Sequence, residues 1–220
     1  FFYGARMKKV ISFGLWGNAE EYTVGAIKNI DLARKIYPEW EVWFYVESDV
    51  AEEVVEDLRQ KADNVIVYGD AQGWEGLFKR FLPMSDPDVD VFISRDCDSR
   101  LSDREKQAVD EWLSSDKQFH CMRDHEAHNF PPVLGGMWGA KRHHLLNLDY
   151  LFYTILGYNN KSYFDDQNGL LVLYKGFTDL FFEHDDRKAF NGTPFPFHEP
   201  MEYGSFVGER ITVDDKPGVV

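Results

Sequence analysis

Apolar residues recur along the first half of the chain with two alternating periods. Short, nearly continuous apolar runs at Val10 to Leu15, Val42 to Val46 and Val65 to Tyr68 read as buried strands. Between them, apolar residues fall three and four apart. Ala19 to Tyr37 is one such helix, stopped by Pro38, and Val50 to Lys61 is another, with Val54, Val55 and Leu58 on its inner face. Asn18 with Glu21 predicts a capping box for the first helix, and Ser48-Asp49 a cap for the second. A loop from Gly69 to Gly73 leads to a short helix through Leu77, Phe78 and Phe81, closed by Pro83. A fourth strand follows, with Val89, Val91 and Ile93 sharing one face.

Strands and helices alternating in this way predict an α/β, doubly wound sheet with right-handed crossovers. No Gly-x-Gly-x-x-Gly follows a strand, which argues against a dinucleotide dehydrogenase. The second half is less regular. Ser102 and Glu105 form a strong helix start, and Val109, Trp112 and Leu113 give that helix an apolar side. Phe119 to Met122 reads as a strand, and Arg123 to Leu134 as a polar loop broken by Pro131-Pro132. The glycines of Gly135-Gly136-Met137-Trp138-Gly139-Ala140 suit either a close backbone approach to a ligand or a tight strand start with Trp138 in the core. A helix from Arg142 to Leu156, a further helix capped by Asp165, and a strand from Thr178 to Phe182 running out at Glu183-His184-Asp185 complete the pattern. From Asp186 onward the chain is rich in Gly and Pro without periodicity, as a packed arm or a lid would be.

Composition narrows the functional classes. With 220 residues, 44% hydrophobic and 16% aromatic, the chain can bury a full core in one domain, expected over 7–220 with Met7 as the natural start. A net charge of −14 argues against nucleic acid and anionic membrane surfaces as partners. It leaves a nucleotide ligand open, because a bound cation masks the repulsion locally. No apolar run approaches a membrane span. Cys97 and Cys121 are too few for a disulfide framework, which fits a reducing, cytoplasmic compartment.

The chemistry concentrates at the end of the fourth strand. Asp96 and Asp98 stand at i and i+2, so in extended chain both carboxylates project to one side. Ligands of open α/β sheets sit beyond the carboxyl ends of strands, where this pair falls. An Asp-x-Asp there suits Mg²⁺ or Mn²⁺ bridging to a diphosphate; the plainer alternative is turn chemistry or solvated charge. An EF-hand fails because Leu101 and Gln107 replace the required Gly and Glu, and an aspartate-nucleophile phosphatase fails at Arg100. His125 and His128 are three apart rather than the four of a zinc-protease helix. His184, at a strand end beside Asp185, is a lone histidine that becomes a plausible further ligand if the Asp pair binds metal.

Three ordered segments carry a family resemblance: Ile93 to Arg100, Met122 to His125, and Leu134 to Gly139. They resemble the small viral and bacterial GT-A glycosyltransferase domains, a group that includes those of chlorella viruses. The likeness runs from Val10 to about Val207. It implies a GT-A-like mixed sheet with flanking helices and an irregular C-terminal arm. It also implies a nucleotide-sugar donor of UDP or GDP type, a glycan or glycoprotein acceptor, and Mn²⁺ or Mg²⁺ on Asp96 and Asp98 with His184. Phe13, Gly14 and Leu15 would sit at the nucleoside base, while Arg80, Arg95, Asp96 and Cys97 would meet donor phosphates or sugar. Gly135, Gly136 and Met137 would line the sugar pocket. Asp166 and Gln167 fall where such enzymes place the acidic group beside the reacting centre, though the common Glu-Asp is here Asp165-Asp166-Gln167. An inverting enzyme needs a base near the acceptor hydroxyl, for which Asp166 is the first candidate and Asp124 the second. The competing readings are a nucleotidyltransferase or phosphohydrolase using the same carboxylates, and a carbohydrate-binding module without catalysis.

Overall fold

The computed structural model describes residues 7–69, 73–128, 130–142, 165–186, 192–195 and 201–218. Eight strands make one sheet: β1 (Lys9–Leu15), β2 (Glu41–Glu47), β3 (Asn64–Tyr68), β4 (Val91–Arg95), β5 (Phe119–Arg123), β6 (Trp138–Lys141), β7 (Phe181–Asp185) and β8 (Thr193–Pro194). Their order across the sheet is β3-β2-β1-β4-β6-β5-β7-β8. Among the described strands only β6 runs against its neighbours, pairing antiparallel with β4 and with β5.

The short apolar runs are strands because both of their faces are covered, the condition under which parallel strands lose polar alternation. Adjacent residues serve opposite faces. Ile11, Phe13, Val42, Phe44 and Ile93 pack with Ala26, Ile30, Leu58 and Trp112 from α1 (Glu20–Ile36), α2 (Glu52–Lys61) and α3 (Asp103–Leu113). Val10, Trp43, Tyr45, Phe92 and Trp138 pack on the other face against Phe78, Phe81, Leu170 and Leu173. Leu170 and Leu173 belong to α4 (Asp165–Phe177), whereas Phe78 and Phe81 lie on a 3-10 segment, Gly73–Met84. The helix expected at Leu77 to Phe81 is thus longer and more tightly wound, and it takes Pro83 inside its last turn.

Caps were only partly legible. Ser102 Oγ accepts from Glu105 N at 3.3 Å, as the motif predicts. Asn18 does not cap α1, which starts after Ala19 without a side-chain cap. Instead its amide nitrogen donates to Asp49 O and its amide oxygen accepts from Ala51 N, both at 2.7 Å. Asp49 in turn accepts from Gly17 N at 3.0 Å, so the expected caps brace the β1 and β2 loops to each other. Ser48 Oγ donates to Gly69 O rather than capping α2. The late strand is displaced: Thr178–Leu180 is a 3-10 turn and β7 begins at Phe181. The helix expected over Arg142 to Leu156 lies outside the described residues. Among the described residues no helix is long and apolar enough to cross a membrane.

Candidate active site

β4 ends at Arg95, and Asp96-Cys97-Asp98 turn over the carboxyl end of the sheet into a cleft of about 250 Å³. Asp96, Cys97 and Asp98 all line it, with Gly14 and Leu15 from β1, Gly135, Gly136 and Met137 before β6, and Asp166 and Gln167 from α4. Arg80 enters from the 3-10 segment and joins two carboxylates. Its Nη1 donates to Asp96 Oδ1 and its Nη2 to Asp166 Oδ2, the latter at 2.9 Å. Burial alone would push the Arg80 pKa down, but Asp96 and Asp166 push it up further, so the guanidinium stays charged. Asp166 is raised by burial against the opposing pull of Arg80, and its Oδ1 accepts from Gln167 N at 2.8 Å.

The two glycines before β6 have a steric reason. A Cβ at Gly135 would stand 2.3 Å from Arg80 Nη2 and 2.4 Å from Asp166 Oδ2. A Cβ at Gly136 would stand 1.9 Å from Asp96 Oδ2. The backbone at these positions therefore runs directly against the charged groups, and any side chain displaces them.

A divalent cation at this end of the cleft would be held by the carboxylate pair, of which Asp96 already meets Arg80. Burial first and Asp96 second raise Asp98 to about 6, a repulsion that a bound cation would relieve. Asp96 keeps 43% of its side chain exposed to the cleft. Among the described residues no cluster of three or more His, Cys, Asp or Glu could hold a metal by itself. Two carboxylates with substrate phosphates completing the shell is how Mg²⁺ is commonly held.

Several residues expected at the site lie elsewhere. Arg95 is 2% exposed and turned away, donating from Nε to Glu105 Oε1 at 3.0 Å and from Nη1 to Ser94 O at 2.8 Å. It closes β4 on the same face as Ile93, the face that α3 and its Glu105 cover. Phe13 belongs to the core, stacked on Phe44 with centroids 5.0 Å apart. His184 is fully buried, with Nδ1 2.8 Å from His120 Nε2 and Nε2 3.0 Å from Glu111 Oε2, so both ring nitrogens are occupied away from the cleft. Asp124 is closed off as a base. Arg104 grips it twice, with Nε to Oδ2 at 2.7 Å, and Val207 N donates to the same oxygen at 3.0 Å.

Other residues in the cleft escaped the sequence. Trp16 and Tyr22 line it and stack on each other, centroids 6.4 Å apart. Tyr22 was hidden as a half-buried position in a helix, and Trp16 as the residue just beyond a strand. His128 also lines the cleft, although its three-residue interval from His125 fits no zinc-protease helix. The C-terminal arm contributes Gly208 to the lining and places Arg210 Nε 3.9 Å from Asp98 Oδ2.

No protein-family model and no curated protein matches the chain. Solved structures do. A glycosyltransferase involved in the glycosylation of the major capsid of PBCV-1 superposes with a TM-score of 0.51 at 13% identity, covering 81% of each chain. The fold is GT-A-like. A cytidylyltransferase from Leptospira borgpetersenii shares it at a TM-score of 0.55 and 13% identity, over 85% of this chain and 79% of that one. So does glucosyl-3-phosphoglycerate synthase from Mycobacterium tuberculosis, solved with uridine diphosphate, at 0.51 and 12% over 89% and 74%. At these identities the GT-A fold is what the likeness establishes.

Proposed function

We propose that this chain is a glycosyltransferase that moves a sugar from a nucleotide-diphosphate donor to a hydroxyl of a glycan or glycoprotein. The observation that carries the reading is the Arg80 bridge: one buried guanidinium ties Asp96 of the Asp-x-Asp turn to Asp166. It couples the end of the cleft suited to a cation and diphosphate to a carboxylate suited to the reacting carbon.

In this reading Mn²⁺ or Mg²⁺, held by Asp96 and Asp98, would stabilise the negative charge of the departing diphosphate. The bond from the sugar's anomeric carbon to the phosphate oxygen breaks, its electron pair leaving with the nucleoside diphosphate. A bond from that carbon to the acceptor oxygen forms, and the acceptor proton passes to Asp166 if the reaction inverts configuration. Asp166 serves this role better than Asp124 because it lines the cleft and Asp124 does not. Gly14, Leu15, Trp16 and Tyr22 offer a flat, partly apolar surface for the nucleoside at the β1 end.

A nucleotidyltransferase is the nearest rival, since a cytidylyltransferase shares the fold. Among the described residues Arg80 is the one Lys or Arg lining the cleft, and it is already held by two carboxylates. That suits a diphosphate with one cation better than a triphosphate. Thermal unfolding with a panel of nucleotide sugars, with and without Mn²⁺, tests the reading in wild type and Asp98→Asn. A ligand at about 100 times its Kd stabilises by about 2.7 kcal/mol, which for a domain of this size raises Tm by about 5–10 °C. A shift confined to one nucleotide, to Mn²⁺ and to wild type supports it. No shift, or one indifferent to metal, overturns it, and release of pyrophosphate in place of sugar transfer favours the rival.

A further inference from the structure

The cleft has two ends set by the sheet order. β1 supplies Leu15 and Trp16 at one end, while the segment between β5 and β6 supplies His128 and Met137 at the other, with β4 and its aspartates between. At the β5 end stands a ring cluster that the proposed donor site does not use. His125 stacks flat on Phe206, centroids 4.2 Å apart and planes 15° apart, and His128 meets the same ring edge-on at 5.3 Å. Phe206 itself is 8% exposed, whereas both histidines are half-buried. The phenyl ring is a support, and the imidazoles are what it presents.

The cluster is held from below by one buried carboxylate. Asp124 begins the segment that carries the histidines, and it accepts from Val207 N, the residue after Phe206. Arg104 of α3 fixes that carboxylate in turn. Loop and arm are therefore positioned from the same point, and the rings they carry are preorganised rather than left to find each other on binding.

Resting on the glycosyltransferase reading, we propose that His125 and His128, supported by Phe206, form the acceptor subsite, and that they recognise a neutral, hydroxyl-bearing saccharide. His128 reaches the cleft wall shared with Asp98, Gly136 and Asp166, and its buried Nδ1 has no hydrogen-bond partner among the described residues. Burial holds its pKa down to about 4, so it is an uncharged imidazole at neutral pH, able to donate or accept towards a hydroxyl. An uncharged ring offers little to a diphosphate, and the His125 ring, backed flat by Phe206, suits the C–H face of a pyranose, with His128 standing at 72° to it as the polar wall.

The test separates acceptor from donor. Saturation-transfer NMR with methyl β-galactoside, methyl β-glucoside and methyl α-mannoside, with and without UDP and Mn²⁺, is read in wild type, His128→Ala, His128→Gln, His125→Ala and Phe206→Leu. Transfer kinetics follow with UDP-glucose and GDP-mannose as donors and the same glycosides as acceptors. Expected is saccharide binding by wild type, with His128→Ala and His125→Ala raising the acceptor KM about tenfold more than the donor KM. His128→Gln, which keeps a hydrogen-bonding group, should recover part of the loss, and Phe206→Leu should fall between. Equal shifts in donor and acceptor constants would assign the rings to the donor site and overturn the proposal. Unchanged constants in every variant, or no glycoside bound or transferred by wild type, would do the same. If wild type binds glycosides through these rings yet uses no nucleotide sugar, the acceptor-type site stands and the glycosyltransferase reading is what fails.

Discussion

Arg80 and Asp166 meet at 2.9 Å with side chains only 4% and 5% exposed, so removing Arg80 strands the Asp166 carboxylate, whereas Arg80 keeps Asp96 if Asp166 is lost. Taking away one partner of such a buried pair costs about 3–5 kcal/mol, more than the pair itself contributes. Arg80→Ala should lower stability by about that amount in urea titration, and Arg80→Ala with Asp166→Ala should recover part of it. A double variant no better than the single one would mean that Arg80 acts chiefly through Asp96.

Gly136→Ala puts a methyl group where Asp96 Oδ2 now lies. The carboxylate must swing, and in the proposed site it carries the cation. Donor affinity in the presence of Mn²⁺ should fall about tenfold or more, with far-ultraviolet circular dichroism unchanged, because the backbone there needs no positive φ. Retained affinity would take Asp96 out of the donor site.

Arg95 separates the sequence expectation from the structure. Its guanidinium, Glu105 and the Tyr37 hydroxyl form a buried group beneath the sheet. Arg95→Ala should cost about 3–5 kcal/mol of stability without a selective loss of donor affinity. A variant of normal stability that cannot bind donor would restore Arg95 to the site.

His120 and His184 predict a pH effect. Burial pushes both below the ordinary histidine value, so over the acid range the unfolded chain binds protons that the folded chain refuses. Their contribution to stability is complete above about pH 6.5 and is lost as pH falls below it. Asp98 and Asp166, which are raised, act in the opposite sense, so the useful quantity is a difference. Wild type minus His120→Phe should shrink by about 2 kcal/mol between pH 6.5 and pH 5, since one suppressed proton is worth about 1.4 kcal/mol per pH unit. A constant difference would mean that His120 takes up its proton in the fold.

Asp124→Ala should release the C-terminal arm, since Val207 N and the Arg104 guanidinium lose their shared acceptor. Proteolysis within 201–218 should quicken by about tenfold or more relative to wild type, with bound donor slowing it. An unchanged rate would show that Ile211 N to Asp98 O and the Lys28–Asp215 pair suffice to hold the arm.

Local information was enough for the first five strands, the Ser102 cap and the placing of Asp96 and Asp98 beyond β4, because period, cap chemistry and strand ends are properties of neighbouring residues; the late strand was set three residues early and β8 was not foreseen. It also brought out Arg80, Gly135, Gly136 and Asp166 as a set, through the family resemblance. Which polar groups face the cleft depends on partners far along the chain, and there the sequence misled. His184 looked available until His120 and Glu111 took its two nitrogens; Arg95 looked basic and free until Glu105 claimed it; Asp124 looked like a base until Arg104 and Val207 enclosed it. A buried polar group must find a partner, and the partner is chosen by packing across the sheet rather than by spacing. His128, set aside by its interval to His125, reached the cleft because the β5–β6 segment folds back over the aspartates, a path that only the tertiary structure decides.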